Sequence, residues 1–219
     1  MTFASVADRD AIENEKTWAE RNTPTTTYGL LGQTAGKFGN RKATSFSLLS
    51  DPDAKCETLD WNTLRDKTGQ AANMFRDLGV GESDVVAYLM PNATETILTY
   101  LGGQVAGIVN PINPLMEAEQ IAAILRETNA KVLVTLKAFP KTDVAQKAAE
   151  AVRLAPNVTH VLEVDLLRYL TGIKRFIVPL IRPKNPVAHK ATVLDFNAEM
   201  NKQPAALKFE DSKVDRVAA

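Results

Sequence analysis

The residues able to do covalent or metal chemistry are few: one cysteine, Cys56, and two histidines, His160 and His189. A reactive thiol needs a neighbour that lowers its pKa, and a metal site needs several converging Cys, His or carboxylate ligands. Cys56 enters a strand segment beside a turn with nothing nearby to depress its pKa, so it reads as a packed thiol, and alone it makes no internal disulfide. His160 falls within a strand segment and has no acid or serine at a catalytic spacing; it reads as a partly buried structural histidine. His189 lies in a Pro/Lys-rich loop without an assignable role, and the tandem Glu210-Asp211 reads as a solvated tail. No catalytic residue and no metal ligand is assigned. What remains are amides at predicted strand ends, Asn92, Asn110 and Asn113. In Asn110-Pro111-Ile112-Asn113-Pro114 two prolines fix φ and two amides stand where a substrate route would run, although a rigid strand-to-helix connection explains the same residues.

Phosphate binding by backbone N–H groups needs glycines that let the chain approach the ligand closely. Neither G-x-G-x-x-G nor G-x-x-x-x-G-K-[ST] occurs in the chain. The pair Gly102-Gly103 falls inside a predicted helix, where each glycine costs about 1 kcal/mol relative to alanine, and close packing against a sheet is the expected reason for it.

The elements that would position these groups follow from hydrophobic spacing. Leu31, Ala35 and Phe38 predict a helix over Thr25–Phe38, with threonines ahead of it to cap its start. Ala43–Leu49 and Glu57–Trp61, separated by Ser50-Asp51-Pro52-Asp53, predict a small β-hairpin. Leu64, Thr68, Ala71, Phe75 and Leu78 give one apolar helix face that ends at Gly79. From there strand and helix alternate. Strands are expected at Val85–Leu89, Ile108–Asn110, Lys131–Thr135 and Val158–Val164, with intervening helices up to Val105 and over Glu117–Thr128 and Val144–Leu154. Asn92 followed by Glu95 predicts an N-cap and capping box for the first of these. Continuous apolar strands joined by amphipathic helices imply a doubly wound, mainly parallel sheet covered on both faces, with ligands beyond the strands' carboxyl ends.

Composition sets the class. The 219 residues are 45% hydrophobic and 24% charged, as in an ordinary globular chain, and 26 basic residues balance 26 acidic ones, so no field argues for nucleic acid. The opening MTFASVADRD has neither a signal peptide's apolar stretch nor a transit peptide's basic bias, and the single cysteine suits a reducing compartment, so a cytoplasmic protein is expected. A membrane span is excluded, because the most apolar run, Leu166 to Ile181, is interrupted by Arg168, Lys174 and Arg175.

Several weak motifs stand in a telling order. Leu59-Asp60-Trp61-Asn62-Thr63-Leu64 leads a helix, and Gly79-Val80-Gly81-Glu82-Ser83-Asp84-Val85 leads a strand ending at Pro91-Asn92. Ala106-Gly107-Ile108-Val109-Asn110-Pro111-Ile112-Asn113-Pro114 follows the next helix, and Asn129-Ala130-Lys131-Val132-Leu133-Val134-Thr135 the one after. Over residues 25 to 165 this order resembles the opening of acyl-CoA synthetases and related adenylate-forming enzymes, with Ser83 where that family usually has glycine. Asp215-Arg216-Val217-Ala218 resembles the segment that in the family runs into a Ser/Thr/Gly-rich phosphate loop. The resemblance implies the incomplete N-terminal domain of the adenylate-forming fold and a parent ligase that uses ATP, magnesium and coenzyme A to activate a carboxylic acid. The acid expected is a fatty or similarly apolar one, in fatty acid metabolism. The family's functional residues lie downstream, so none is carried over, no cofactor is expected to bind this fragment tightly, and the missing C-terminal part of the same polypeptide is its expected partner. A self-sufficient non-catalytic α/β binding or interaction module is the alternative, and a nicotinamide-dependent oxidoreductase a distant third without its glycine fingerprint.

The chain thus divides into a polar extension over 1–24, the α/β part over 25–165, and a connection over 166–219 whose start looks like an addition to the shortest family members. In that addition Leu166, Leu170, Ile173, Ile177 and Leu180 form a helical stripe flanked by Arg168, Lys174, Arg175 and Arg182, with Pro179 to kink or end the helix. A basic amphipathic stretch over 166–182 suggests peripheral membrane contact or self-association, against a helix packed on its own domain.

Overall fold

A computed structural model describes residues 4–17, 19–50, 54–184, 187–211 and 217–219. The polar start forms a short helix, α1 (Val6–Glu13), which buries none of its residues; Ser5 caps it by accepting from the Asp8 N–H at 3.3 Å. Next comes α2 (Thr27–Phe38), whose first turn is held by Thr26 Oγ1 accepting from Gly29 N–H, as the threonines ahead of it predict.

The predicted hairpin is β1 (Lys42–Ser47) paired antiparallel with β2 (Cys56–Asp60). Its turn residues Asp51, Pro52 and Asp53 lie outside the described residues, as do Asp215 and Arg216 near the end of the chain. Cys56 is exposed, contrary to the packed thiol expected: it opens a short strand of a two-stranded sheet whose positions are mostly solvent-facing.

Helix α3 (Trp61–Asp77) starts a turn earlier than the apolar spacing indicates, because Asp60 accepts from the Thr63 N–H at 2.7 Å and so fixes the N-cap. It stops where Gly79 takes φ +82° and the Val80 N–H reaches back to the Phe75 carbonyl. The main sheet then builds from β3 (Val85–Leu89), β4 (Ile108–Pro111), β5 (Val132–Leu136), β6 (His160–Val164) and β7 (Thr192–Asp195), all parallel in the order β4-β3-β5-β6-β7. Connecting helices are α4 (Thr94–Ala106), α5 (Ala118–Glu127) and α6 (Val144–Leu154); a short α7 (Lys174–Leu180) precedes β7 and α8 (Phe196–Asn201) follows it. The last strand and α8 are not predicted from the sequence, since Thr192–Asp195 is mostly exposed and lacks the continuous apolar run of the inner strands.

The chain leaves β3 toward β4 on one side and returns across β3 to β5 on the other. With right-handed crossovers this reversal puts α4 on one face and α5 and α6 on the opposite face. The packing agrees: α3 packs against α4 and α8, and α5 against α6. The core lies between, with Val86, Leu89, Leu133, Leu136 and Leu162 of the sheet and Phe75, Leu98, Ile121, Leu125 and Phe196 of the helices fully buried.

The glycine pair divides its task. A Cβ on Gly102 would stand 2.7 Å from the Ala71 Cβ of α3, and one on Gly103 would stand 3.0 Å from the Val109 Cβ of β4. Only the second is the helix-to-sheet contact expected from the sequence; the first is a helix-to-helix approach.

Candidate functional site

The most concentrated polar chemistry lies at the carboxyl ends of the strands and was not visible in the sequence. Glu95, in the first turn of α4, has a side chain with 0% exposure. It is not the capping residue expected. Helix α4 begins at Thr94 after Ala93, whose N–H donates to Thr96 Oγ1 at 3.1 Å, while Thr96 donates to the Pro91 carbonyl at 2.7 Å. Thr96 supplies the reciprocal bond, which leaves Asn92 exposed and frees Glu95 to point inward.

There Glu95 accepts from Arg168 Nη1 at 2.6 Å, from the Tyr169 hydroxyl at 2.7 Å and from Asn197 Nδ2 at 2.9 Å. Arg168 also donates through Nη2 to Glu57 of β2, and Thr94 donates to the same carboxylate. Residues following β3 and β6 thus meet the hairpin carboxylate Glu57, 111 positions from Arg168, and Asn197 after β7 joins the cluster through Glu95. The Phe46 ring packs edge-on to Tyr169 with centroids 4.8 Å apart, and the Arg168 guanidinium lies 4.6 Å from the Tyr169 centroid.

Electrostatics fix the protonation of this cluster. Burial pushes the Glu57 carboxyl up, but hydrogen bonds from Thr94 and Arg168, with the Arg168 charge, outweigh it and hold Glu57 below its ordinary value. Burial and then the Glu95 charge push the Tyr169 phenol up, so it stays a donor. Burial opposes the Arg168 charge, and Glu57 and Glu95 more than restore it. With Glu57 held low and the Tyr169 phenol held high, the groups of the centre serve one another as hydrogen-bond partners and tie β2 to α4 and to residues 168–169.

Beside it opens a cavity of about 540 Å³ whose walls include Asp165, Arg168, Arg175, Phe176, Asp195 and Asn197. Its acids have structural duties: Asp165 accepts from the Leu167 N–H at 3.0 Å and from Arg182 at 2.9 Å, and Asp195 accepts from the Ala198 N–H at 2.7 Å to cap α8. Next to them, burial pushes the Glu163 carboxyl above its ordinary value.

The three amides read from the sequence do not converge. Asn92 lines an open groove of about 340 Å³ with Tyr88, Thr96 and Tyr100. Asn110 is half-buried in β4, in register with Ala87 of β3. Asn113 closes the turn after β4, its Oδ1 accepting from the Leu115 N–H at 2.9 Å. The loops after β3, β4 and β5, residues 90–93, 112–117 and 137–143, contain no glycine. They carry no glycine cradle of the kind by which backbone N–H groups approach a phosphate. Among the described residues no group of three or more His, Cys, Asp and Glu side chains is placed to hold a metal ion.

His160 opens β6, half-buried, with Nδ1 3.0 Å from Thr159 Oγ1. His189 lines a cleft of about 430 Å³ with Arg153 and Lys190 next to the amino ends of β6 and β7, away from the polar centre.

The turn that leads into β3 is built by its own residues. In Gly81-Glu82-Ser83-Asp84 the Asp84 carboxylate accepts from the Gly81 N–H at 2.7 Å and from Lys131 Nζ at 2.6 Å. A side chain at Gly107 would meet the Asp84 carbonyl at 2.5 Å. Residues 31–191 match the family described as AMP-binding enzyme. The chain belongs to that family. This AMP-binding family member is 28% identical over 144 residues to the marinolic acid–CoA ligase of Pseudoalteromonas sp. (strain SANK 73390), covering 66% of this chain and 22% of that protein. It is 28% identical over 192 residues to the 4-hydroxyphenylalkanoate adenylyltransferase of Mycobacterium marinum, covering 84% of this chain and 29% of that one. Its fold is that of the anthranilate CoA ligase AuaEII, solved in complex with anthranoyl-AMP, at TM-score 0.62 and 19% identity, covering 90% of this chain and 32% of that one. The chain therefore spans less than a third of the length of each of these proteins. Among the described residues no helix is long and apolar enough to cross a membrane.

Proposed function

We propose that this chain is the N-terminal part of an ATP-dependent acid:CoA ligase, which joins a carboxylic acid to AMP with loss of pyrophosphate and then passes the acyl group to coenzyme A. The observation that carries the reading is the match of residues 31–191 to the AMP-binding family, on a fold shared with a CoA ligase. The substrate proposed is a fatty or similarly apolar acid, handled in the cytoplasm with magnesium and ATP. Within that enzyme the chain is a scaffold. Its strand-end carboxylates, arginine and phenol are one another's partners, and its loops after β3, β4 and β5 lack a glycine cradle, so the isolated chain should not adenylate an acid.

The test measures pyrophosphate release from ATP for the 219-residue chain and for a version extended by the downstream codons of its gene. Release by the extended protein alone, dependent on an apolar acid, is the expected result. Release by the isolated chain above a buffer control would refute the scaffold role, and an extended protein inert with every acid offered would refute the ligase reading.

A further inference from the structure

The segment between β6 and β7 is turned inside out relative to an ordinary surface helix. Ile173, Phe176, Ile177, Leu180 and Ile181 recur at i, i+3, i+4, i+7 and i+8, the spacing of a face normally buried against a core. In the fold this face is the outer one: Ile173 is 73% exposed, Phe176 74% and Leu180 84%. Val178 is the half-buried residue of this helix, while Arg175, Phe176 and Pro179 edge the cavity beside the polar centre. Scattered apolar residues on a surface need no explanation, whereas five exposed on one helical face form a contiguous apolar patch.

The charges around the patch select its occupant. Arg168 is paired with Glu57 and Glu95, and Arg182 with Asp165, so neither is free to attract a partner. Lys174 is exposed and, with Lys55 from the foot of β2, stands at a small cleft of about 200 Å³ whose walls also include Ile173, Thr171 and Tyr169. Neither lysine makes an ion pair among the described residues. Among the described residues no carboxylate lines this cleft. A second copy docked on the patch about a two-fold axis would bring the same lysines toward each other, which opposes association. An anionic leaflet instead places phosphates at the lysines and acyl chains under the apolar face.

We propose that Ile173, Phe176, Ile177, Leu180 and Ile181 form a face that docks on an anionic bilayer surface, with Lys55 and Lys174 receiving a lipid phosphate in the cleft beside it. Such a surface would hold the chain where apolar acids partition; it does not depend on the ligase reading.

Co-sedimentation of the 219-residue chain is measured with vesicles of phosphatidylcholine alone and of phosphatidylcholine mixed in equal parts with phosphatidylglycerol, at low and high salt. Two basic groups near a negative leaflet should strengthen partitioning by roughly tenfold or more, and salt should reverse most of that gain. Phe176→Asp with Leu180→Asp should abolish binding to both vesicles. Lys55→Gln with Lys174→Gln should remove the preference for anionic lipid while leaving weak binding to both. These residues are exposed, so both variants should keep the wild-type melting curve and circular dichroism. A wild type that stays in the supernatant, or an Asp variant that sediments as wild type does, overturns the proposal. It is equally overturned if light scattering shows a wild-type dimer that the Asp variant dissociates and that ignores vesicles, or if extension by the downstream codons abolishes vesicle binding by covering the face.

Discussion

Leu166–Leu170 and Ile173–Ile181 belong to one sequence pattern yet meet opposite fates. The first half folds as a tight 3-10 turn over Leu166–Tyr169 in which Leu166, Tyr169 and Leu170 are buried, and its basic residue Arg168 is locked between two carboxylates. The second half is a seven-residue helix with no buried residue, its apolar side outward and Lys174 without an ion pair among the described residues. The single amphipathic helix expected over this stretch does not form: the chain breaks at Gly172, φ +59°, and Pro179 lies in the last turn of α7. Periodicity reports that a stripe exists; the residues far along the chain that meet it decide whether it is core or surface.

The largest effect should come from breaking the buried half. Arg168→Met leaves Glu95 without its counter-charge in a site closed to water, and stranding a buried carboxylate costs about 3 kcal/mol or more. Urea unfolding should show a lowered midpoint at unchanged slope, and the double variant with Glu95→Gln should recover part of the loss. A midpoint equal to wild type would mean that the centre does not hold the hairpin, α4 and the 3-10 turn together.

Matched leucines sharpen the contrast. Leu166→Ala should cost about 2 to 3 kcal/mol, since it empties a buried site, whereas Leu180→Ala should change stability by less than about 0.5 kcal/mol. Equal costs for the two substitutions would contradict the division between the halves.

Acid tests the buried region through Glu57. The folded Glu57 titrates below its unfolded value, so its contribution is fully present above the ordinary carboxylate range and is lost as pH falls through the lower folded value. The stability gap between wild type and Glu57→Gln should therefore close as the solution is acidified. Differential melts across an acid series give the curve.

Much of the frame was legible because local physics dictates it. The run Val85–Leu89, the Gly79 stop and the turn before Val85 are each set by residues within a few positions of one another, and the structure builds them where the sequence places them. The polar centre was not legible. Glu95 three residues after Asn92 has the spacing of a capping box, and only the arrival of Arg168, Tyr169 and Asn197 from later crossovers shows that it faces inward. A signal was present in Arg168-Tyr169 directly after an apolar strand, but no spacing links it to Glu57, 111 positions earlier. Strand β7 escaped for another reason: an edge strand with exposed positions lacks the apolar run by which inner strands are recognised.

The smallest expected effect lies at the boundary between the two halves. Gly172 holds φ +59°, the left-handed region where a Cβ crowds the following carbonyl, yet nothing stands within 4 Å of where that Cβ would be. Gly172→Ala should therefore cost only the backbone strain, about 1 kcal/mol, and Gly172→Asn less, because asparagine tolerates this conformation. If the turn is what separates buried from exposed, both variants should keep the Arg168 centre intact and differ from wild type only in the unfolding midpoint. Hydrogen exchange at the amides of the 3-10 turn and of α7 checks this. Faster exchange confined to 171–181 fits a local strain, whereas loss of protection at Arg168 and Tyr169 would show that the two halves unfold as one unit and that the boundary at Gly172 is not a physical one.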